Sequence, residues 1–245
     1  MNEVKRNTNP EGKCELCGEV LTKRKAAAHL KKCRAAKPSP EGKGRTVFYT
    51  FEATTPGLPE FFLFVELDGN KTLAALDGFL RDIWLECCGH CSAFTIAGVH
   101  YNSHGMGDGA DDDAEDDMDF GFGGGKTKSM AVKINALFGS PDLFYKDAKF
   151  DYEYDFGTTS YVKLRVVGIR ESGEKAPSKP VLLMRNLPPR WVCRECGKPA
   201  TIVCSSNWGL APDNVYCAGC AKKKLDDYER SPILNSPRSG LCGYC

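Results

Sequence analysis

No apolar run in the 245 residues approaches the ~20 residues needed to cross a bilayer, so no membrane span is expected. Met1 to Asn9 carry basic residues but no apolar stretch, so they do not read as a secretory signal. An excess of charge is also missing: 33 Lys/Arg face 32 Asp/Glu. With 42% hydrophobic and 27% charged residues, the composition excludes a wholly disordered chain. It leaves material for one real core in one or two domains. What the chain has in abundance is cysteine, 13 in all and odd in number. Cys-x-x-Cys pairs include those opening at Cys14, Cys193, Cys217 and Cys242. Without a secretory signal, metal or redox chemistry in a reducing cytoplasm is expected rather than a disulfide framework.

The balanced charge is a sum of opposed blocks. Residues 1–45 hold 12 Lys/Arg against 5 Asp/Glu, residues 175–245 hold 11 against 5, and residues 46–174 hold 10 against 22. Basic modules at both ends suit anionic partners, phosphate backbones above all. Ordinary solvated surface explains the same charges equally well.

Residues 1–36 read as a zinc finger. Cys14 and Cys17 form a knuckle, with Gly18 permitting the turn. Thr22 is placed to cap a helix from Lys23 to about Arg34, a stretch rich in Ala and Lys. His29 and Cys33 stand four apart on one face of that helix and complete a Cys-Cys-His-Cys set. Three thiolates and an imidazole suit a closed, structural zinc site. So short a segment needs the ion for its folding energy. Lys23, Arg24, Lys25, Lys31, Lys32 and Arg34 decorate the helix. The module resembles a single nucleic-acid-binding finger; RNA, a nucleoprotein or the chain itself are all open as its target. Residues 37–45, rich in Pro and Gly, read as a linker.

Residues 46–174 read as an α+β core. Thr46–Glu52 and Glu60–Leu67 are predicted strands, and Thr72 is predicted to cap a helix reaching about Glu86. Leu73, Leu76, Leu80, Ile83 and Trp84 form its apolar stripe, widened by Phe79. One strand is expected from Ser92 to Tyr101. A further pair is expected at Tyr152–Phe156 and Tyr161–Ile169, joined through 157–160. Hairpins alternating with a helix predict a largely antiparallel sheet.

The block from Thr72 through Cys87-Cys88-Gly89-His90-Cys91 to Ile96, with Tyr152-Glu153-Tyr154-Asp155-Phe156-Gly157, resembles the Ri-plasmid open-reading-frame-three family. Its members are also labelled insertion-element passenger protein, TnpR. The resemblance covers roughly residues 46–170 and implies an α+β domain without an established biochemical function. A second His of the family is here Ser92, and Thr158, Ser160 and Val162 stand where it carries polar or aromatic residues. A polar site built from those positions is absent here, which favours a scaffold or binding role.

Cys87, Cys88, His90 and Cys91 are crowded, and core packing is the expected reading over metal binding. Asp155 is expected to bond its own backbone in a turn. Residues 108–119 hold eight Asp/Glu. Asp111, Asp113 and Glu115 alternate like a calcium loop, but Asp116 stands where Gly is needed and the terminal Glu is missing. A disordered acidic insertion over 105–127 is expected instead.

Residues 190–245 read as a second zinc module. Cys193 and Cys196, then Cys217 and Cys220, match a four-thiolate treble-clef spacing, with a helix after the second pair. Its Lys222, Lys223 and Lys224 repeat the basic-helix pattern. Cys204, Cys242 and Cys245 have no assigned role, since a further metal needs a ligand that the sequence does not identify. The tail is expected to dock on the zinc module with Cys242 buried. The sequence thus predicts two structural Zn2+ ions and a cytoplasmic, non-enzymatic protein. It is expected to recognise nucleic acid, RNA or a ribonucleoprotein such as the ribosome through Lys23, Arg24, Lys25, Lys31, Lys32, Lys222, Lys223 and Lys224. A protein adaptor with purely structural zinc is the second reading. An enzyme or redox protein using a core pocket or the tail dithiol is the third.

Overall fold

The computed structural model describes residues 9–36, 41–103, 127–138 and 147–244. In chain order it forms β1 (Glu11–Cys14), β2 (Val20–Thr22), α1 (Lys23–Ala35), β3 (Glu41–Thr55) and β4 (Leu58–Asp68). α2 (Leu73–Leu80) runs into a π-helical turn (Arg81–Leu85), followed by β5 (Ser92–Ile96), β6 (Val99–Asn102), β7 (Thr127–Ser129) and α3 (Ile134–Phe138). β8 (Lys149–Tyr154), β9 (Ser160–Glu174) and β10 (Val181–Asn186) complete the core, and β11 (Ile202–Cys204), β12 (Val215–Tyr216), α4 (Ala218–Lys224) and β13 (Arg230–Pro232) form the C-terminal module. The fold is α+β and antiparallel-rich. Ten strands form one sheet in the order β2-β1-β10-β4-β3-β9-β8-β5-β6-β7, in which β6–β7 is parallel. β12-β11-β13 make a second, small sheet.

β4 is buried on both faces because the sheet is covered on both sides. Phe61, Leu63, Val65 and Leu67 join the core beneath α2, where Leu73, Leu76, Leu80 and Trp84 are fully buried. Phe62 and Phe64 point the other way, onto Ala26 and Leu30 of α1. The unbroken run Phe61-Phe62-Leu63-Phe64-Val65 therefore serves two cores, as expected for a strand with no solvent face. Phe51, Phe94, Phe138, Phe150 and Tyr152 form the aromatic centre, with ring centroids 4.6–6.1 Å apart. Among the described residues no helix is long and apolar enough to cross a membrane.

Several local expectations change. The linker expected over 37–45 is strand from Glu41 onward, since β3 extends backward to pair Glu41 with Glu174 of β9. The expected strand Ser92–Tyr101 is a hairpin, because Ala97 and Gly98 take φ of 50° and 78° and reverse the chain. The α2 helix widens into a π turn before Glu86. Thr22 and Thr72 occupy N-cap positions in extended conformation, yet neither side chain makes a cap bond. The acidic insertion expected at 105–127 lies outside the described residues up to residue 126, and Thr127 opens β7.

Candidate metal centres

The first knuckle is built by the end of β1. Cys14 N donates to Glu19 O at 2.9 Å and Gly18 N to Cys14 O at 2.8 Å, with Gly18 at φ 80°. A side chain at that left-handed position would be strained, which is why Gly follows the pair. β2 then leads straight into α1, whose spacing brings His29 and Cys33 over the knuckle. Cys14 and Cys33 sulfurs are 3.9 Å apart, and Cys17 Sγ is 3.4 Å from His29 Nε2. Around a tetrahedral zinc at ~2.3 Å from sulfur and ~2.0–2.1 Å from nitrogen, these separations come to about 3.8 and 3.6 Å. The four donors thus fit one ion. Glu19 stands 3.4 Å from His29 Nδ1 and can hold the ring with Nε2 facing the ion.

The second knuckle repeats the first. Cys193 N donates to Lys198 O at 2.7 Å and Gly197 N to Cys193 O at 3.0 Å, with Gly197 at φ 72°. Cys217 precedes α4 and Cys220 lies in its first turn, which sets Cys217 Sγ 3.6 Å from Cys196 Sγ. Burial pushes the Cys193 thiol up, but the backbone N–H groups of Cys217, Glu195 and Cys196 outweigh it and bring it down to about 6. Backbone hydrogen bonding from Cys220 likewise lowers Cys217. The last thiol of each set goes the other way. Cys220 is pushed up to about 12 by Cys196 and Cys217, and Cys33 to about 11 by burial and then by Cys17 and Cys14. Crowded sulfurs cannot all ionise beside one another, and a divalent cation removes that obstacle. Both sets, each with its four ligand atoms within 4.8 Å of one another, are compatible with zinc.

The basic residues are placed differently from one another. Arg24, Lys25, Lys31 and Lys32 are exposed on α1. Lys23 is turned to the core, 3.5 Å from Glu52 and over the Phe62 ring. Arg34 is not on the solvent face: it is buried, 3.0 Å from Glu66 and 2.8 Å from Glu174, in a network shared with Arg170. That network and the pairing of β1 with β10 fasten the finger to the core sheet. Lys222, Lys223 and Lys224 are exposed on α4. A cleft of about 450 Å³ beside β2 carries Lys25 and Lys32 together with Glu11, Glu19 and His29.

Cys242 corrects one expectation: it is exposed rather than buried. It stands beside Cys87, Cys88 and His90 of the core, with all four ligand atoms within 4.8 Å. Core packing of that cluster fails for Cys88, which is exposed, while Cys87 is half-buried. Cys91 is exposed and outside the cluster, so the Cys88–Cys91 pair does not act as a knuckle. Cys204 is buried against Cys193, Tyr216 and Ala221. Cys245 lies outside the described residues. No local signal ties Cys242 to Cys87, because the link spans more than 150 residues and has no period.

The positions that depart from the resembled family are occupied structurally. Ser92 is fully buried and donates to Asp77 at 2.6 Å, beside Tyr152, whose hydroxyl donates to the same oxygen at 2.7 Å. Thr158 O and Ser160 Oγ both accept from Arg238. Asp155 caps its own turn, accepting from Gly157 N and Thr158 N.

No family model matches the chain, and no curated protein does. Among solved structures, a protein of unknown function from Methanosarcina mazei Go1 aligns with TM-score 0.41 and 15% identity, over 56% of this chain and 67% of that one. That likeness assigns neither family nor activity.

Proposed function

We propose that the protein is a non-enzymatic zinc protein that binds nucleic acid, RNA or a ribonucleoprotein such as the ribosome, through its basic metal modules. One observation carries the reading: α1 divides cleanly, with Ala26, Leu30 and Arg34 buried against the sheet and Arg24, Lys25, Lys31 and Lys32 all outward. Those four cations stand at i, i+1, i+7 and i+8, a single stripe able to follow a phosphate backbone. The C-terminal module adds Lys222, Lys223 and Lys224, with Trp208 and Tyr228 79% and 80% exposed. Ser205, three residues before Trp208, bonds the Tyr228 carbonyl, which places the two aromatics on one module. Exposed rings among cations suit stacking of unpaired bases. The closed four-ligand sets leave no open coordination position, which supports structural rather than catalytic ions. The reducing cytoplasm and the resemblance of the core to the Ri-plasmid family belong to the same proposal, and neither adds an activity.

Salt-dependent binding to single-stranded RNA and DNA tests it. Replacing Arg24, Lys25, Lys31 and Lys32 by Gln should lower the slope of log affinity against log salt by about three, at ~0.7–0.9 per phosphate contact. Zinc content should not change. An unchanged slope with a folded finger overturns contact through α1, and no binding to RNA, DNA or ribosomes at low salt leaves the protein-adaptor reading.

A further inference from the structure

We infer a third metal site, a four-ligand zinc centre made by Cys87, Cys88, His90 and Cys242, which clasps the C-terminal tail to the core. Its ligands come from two places that the sequence keeps apart. Three sit on the loop after the π turn, where Gly89 at φ 77° reverses the chain between Cys88 and His90. The fourth sits on the tail, where Gly240, Cys242 and Gly243 take φ of 80°, 47° and 68°.

The separations are those of a shared ion. Cys87 and Cys88 sulfurs are 3.5 Å apart, and Cys88 and Cys242 sulfurs 3.7 Å. About 3.8 Å is the tetrahedral value for two thiolates on zinc. His90 Nε2 lies 2.8 Å from Cys88 Sγ and 3.1 Å from Cys242 Sγ, closer than the ~3.6 Å that zinc sets. The His90 side chain is 32% exposed, so a small rotation opens that gap. Three sulfurs and one imidazole nitrogen repeat the donor set of the finger.

The tail does not reach this place by chance, because contacts free of any ligand fix it on both sides. Ser236 Oγ donates to Trp84 O at 2.5 Å, and Asn235 and Asn186 exchange hydrogen bonds. Arg238 is fully buried and donates to Thr158 O, Ser160 Oγ and Asp155 Oδ2. Its Nη2 also stands 3.5 Å from Cys87 Sγ, so a fixed cation faces a site whose three thiolates exceed the charge of one divalent ion. Gly240 packs so closely on Val203 that a Cβ would come within 2.8 Å, and Leu241 lies against Gly209. Cys242 is thereby delivered to the Cys88–His90 loop before any ion binds. The site is independent of nucleic-acid binding.

Metal analysis of the full chain, purified under reducing conditions without added metal, tests this. The wild type should carry about three zinc equivalents, and Cys242→Ser and His90→Ala about two each, with the far-ultraviolet circular dichroism retained. Cys91→Ser should keep three. Cys242→His, which restores a donor, should also keep three and covers the case in which Cys242→Ser fails to fold. Two equivalents in the wild type overturn the site, as do three equivalents in a folded Cys242→Ser. An ion lost from Cys91→Ser but kept in Cys242→Ser moves the site to the local Cys-x-x-Cys and overturns the assignment. A native mass lower by two hydrogens, with two thiols lost to alkylation, identifies a disulfide in its place and overturns it too.

Discussion

Arg238 Nη2 donates to Asp155 Oδ2 at 2.5 Å, with the arginine side chain wholly buried and the aspartate 5% exposed. Asp155, at φ 64°, spends its other oxygen on the turn at Gly157 and Thr158, so one carboxylate shapes the β8–β9 turn and receives the tail. A buried charge stripped of its partner costs about 3–5 kcal/mol. Asp155→Ala is expected to lose that much in denaturant unfolding. The double variant Asp155→Ala/Arg238→Met should lose less than the two single losses added. Additive losses would show that the pair is not coupled.

Leu30 tests how firmly the finger is fastened. It is 3% exposed and packs with Phe62, Phe64 and Met184 of the sheet. Leu30→Ala should destabilise the protein by about 2–5 kcal/mol, the usual range for a buried leucine. Zinc content should remain that of the wild type. A separate early transition of the finger alone, with the main unfolding midpoint unmoved, would show that α1 contributes nothing to the core sheet.

Stacking and charge separate in their salt response. Trp208→Ala or Tyr228→Ala should weaken single-stranded RNA binding by about 1–3 kcal/mol per stacked base while leaving the salt slope unchanged. Equal affinity in both variants would remove the aromatics from the interface.

Metal removal should act unevenly. The finger itself contributes only Cys14, Leu21, Ala26 and Leu30 to its buried cluster, and the four-Cys site has around it Cys193, Cys204, Tyr216 and Ala221, whereas Val203, Leu210 and Val215 of the C-terminal module join the main core. The aromatic centre around Phe51, Phe94, Phe138, Phe150 and Tyr152 contains no ligand. Prolonged chelation should therefore abolish amide protection in β1, β2 and α4 while β3, β4 and β9 stay protected. Protection lost everywhere at once would mean that the sheet depends on the ions.

Gly240 seats the tail closely against Val203. Its φ of 80° and its approach to Val203 leave no room for a methyl group. Gly240→Ala should cost ~1 kcal/mol or more. It should also raise alkylation of Cys242 in the metal-stripped protein, because the tail no longer seats. Unchanged alkylation would mean that the tail is held elsewhere.

What the sequence determined by itself is local. Cys14-x-x-Cys17-Gly18 and Cys193-x-x-Cys196-Gly197 specify their own knuckles, since a tight turn followed by a left-handed glycine needs no distant partner. The spacing of His29 and Cys33 on one turn of α1, and the stripe Leu73, Leu76, Leu80 and Trp84 on α2, follow from helical period in the same way. Tertiary structure decided what no period records. It buried Arg34 with Glu66 and Glu174, turned Lys23 from a surface cation into a partner of Glu52, and set β1 beside β10. It also carried Cys242 across the molecule to Cys88 and His90. A metal site or a buried ion pair is specified by three-dimensional convergence of donors. When those donors lie on separate segments, only the packing that fixes both segments, here through Arg238, Ser236 and Gly240, brings them together.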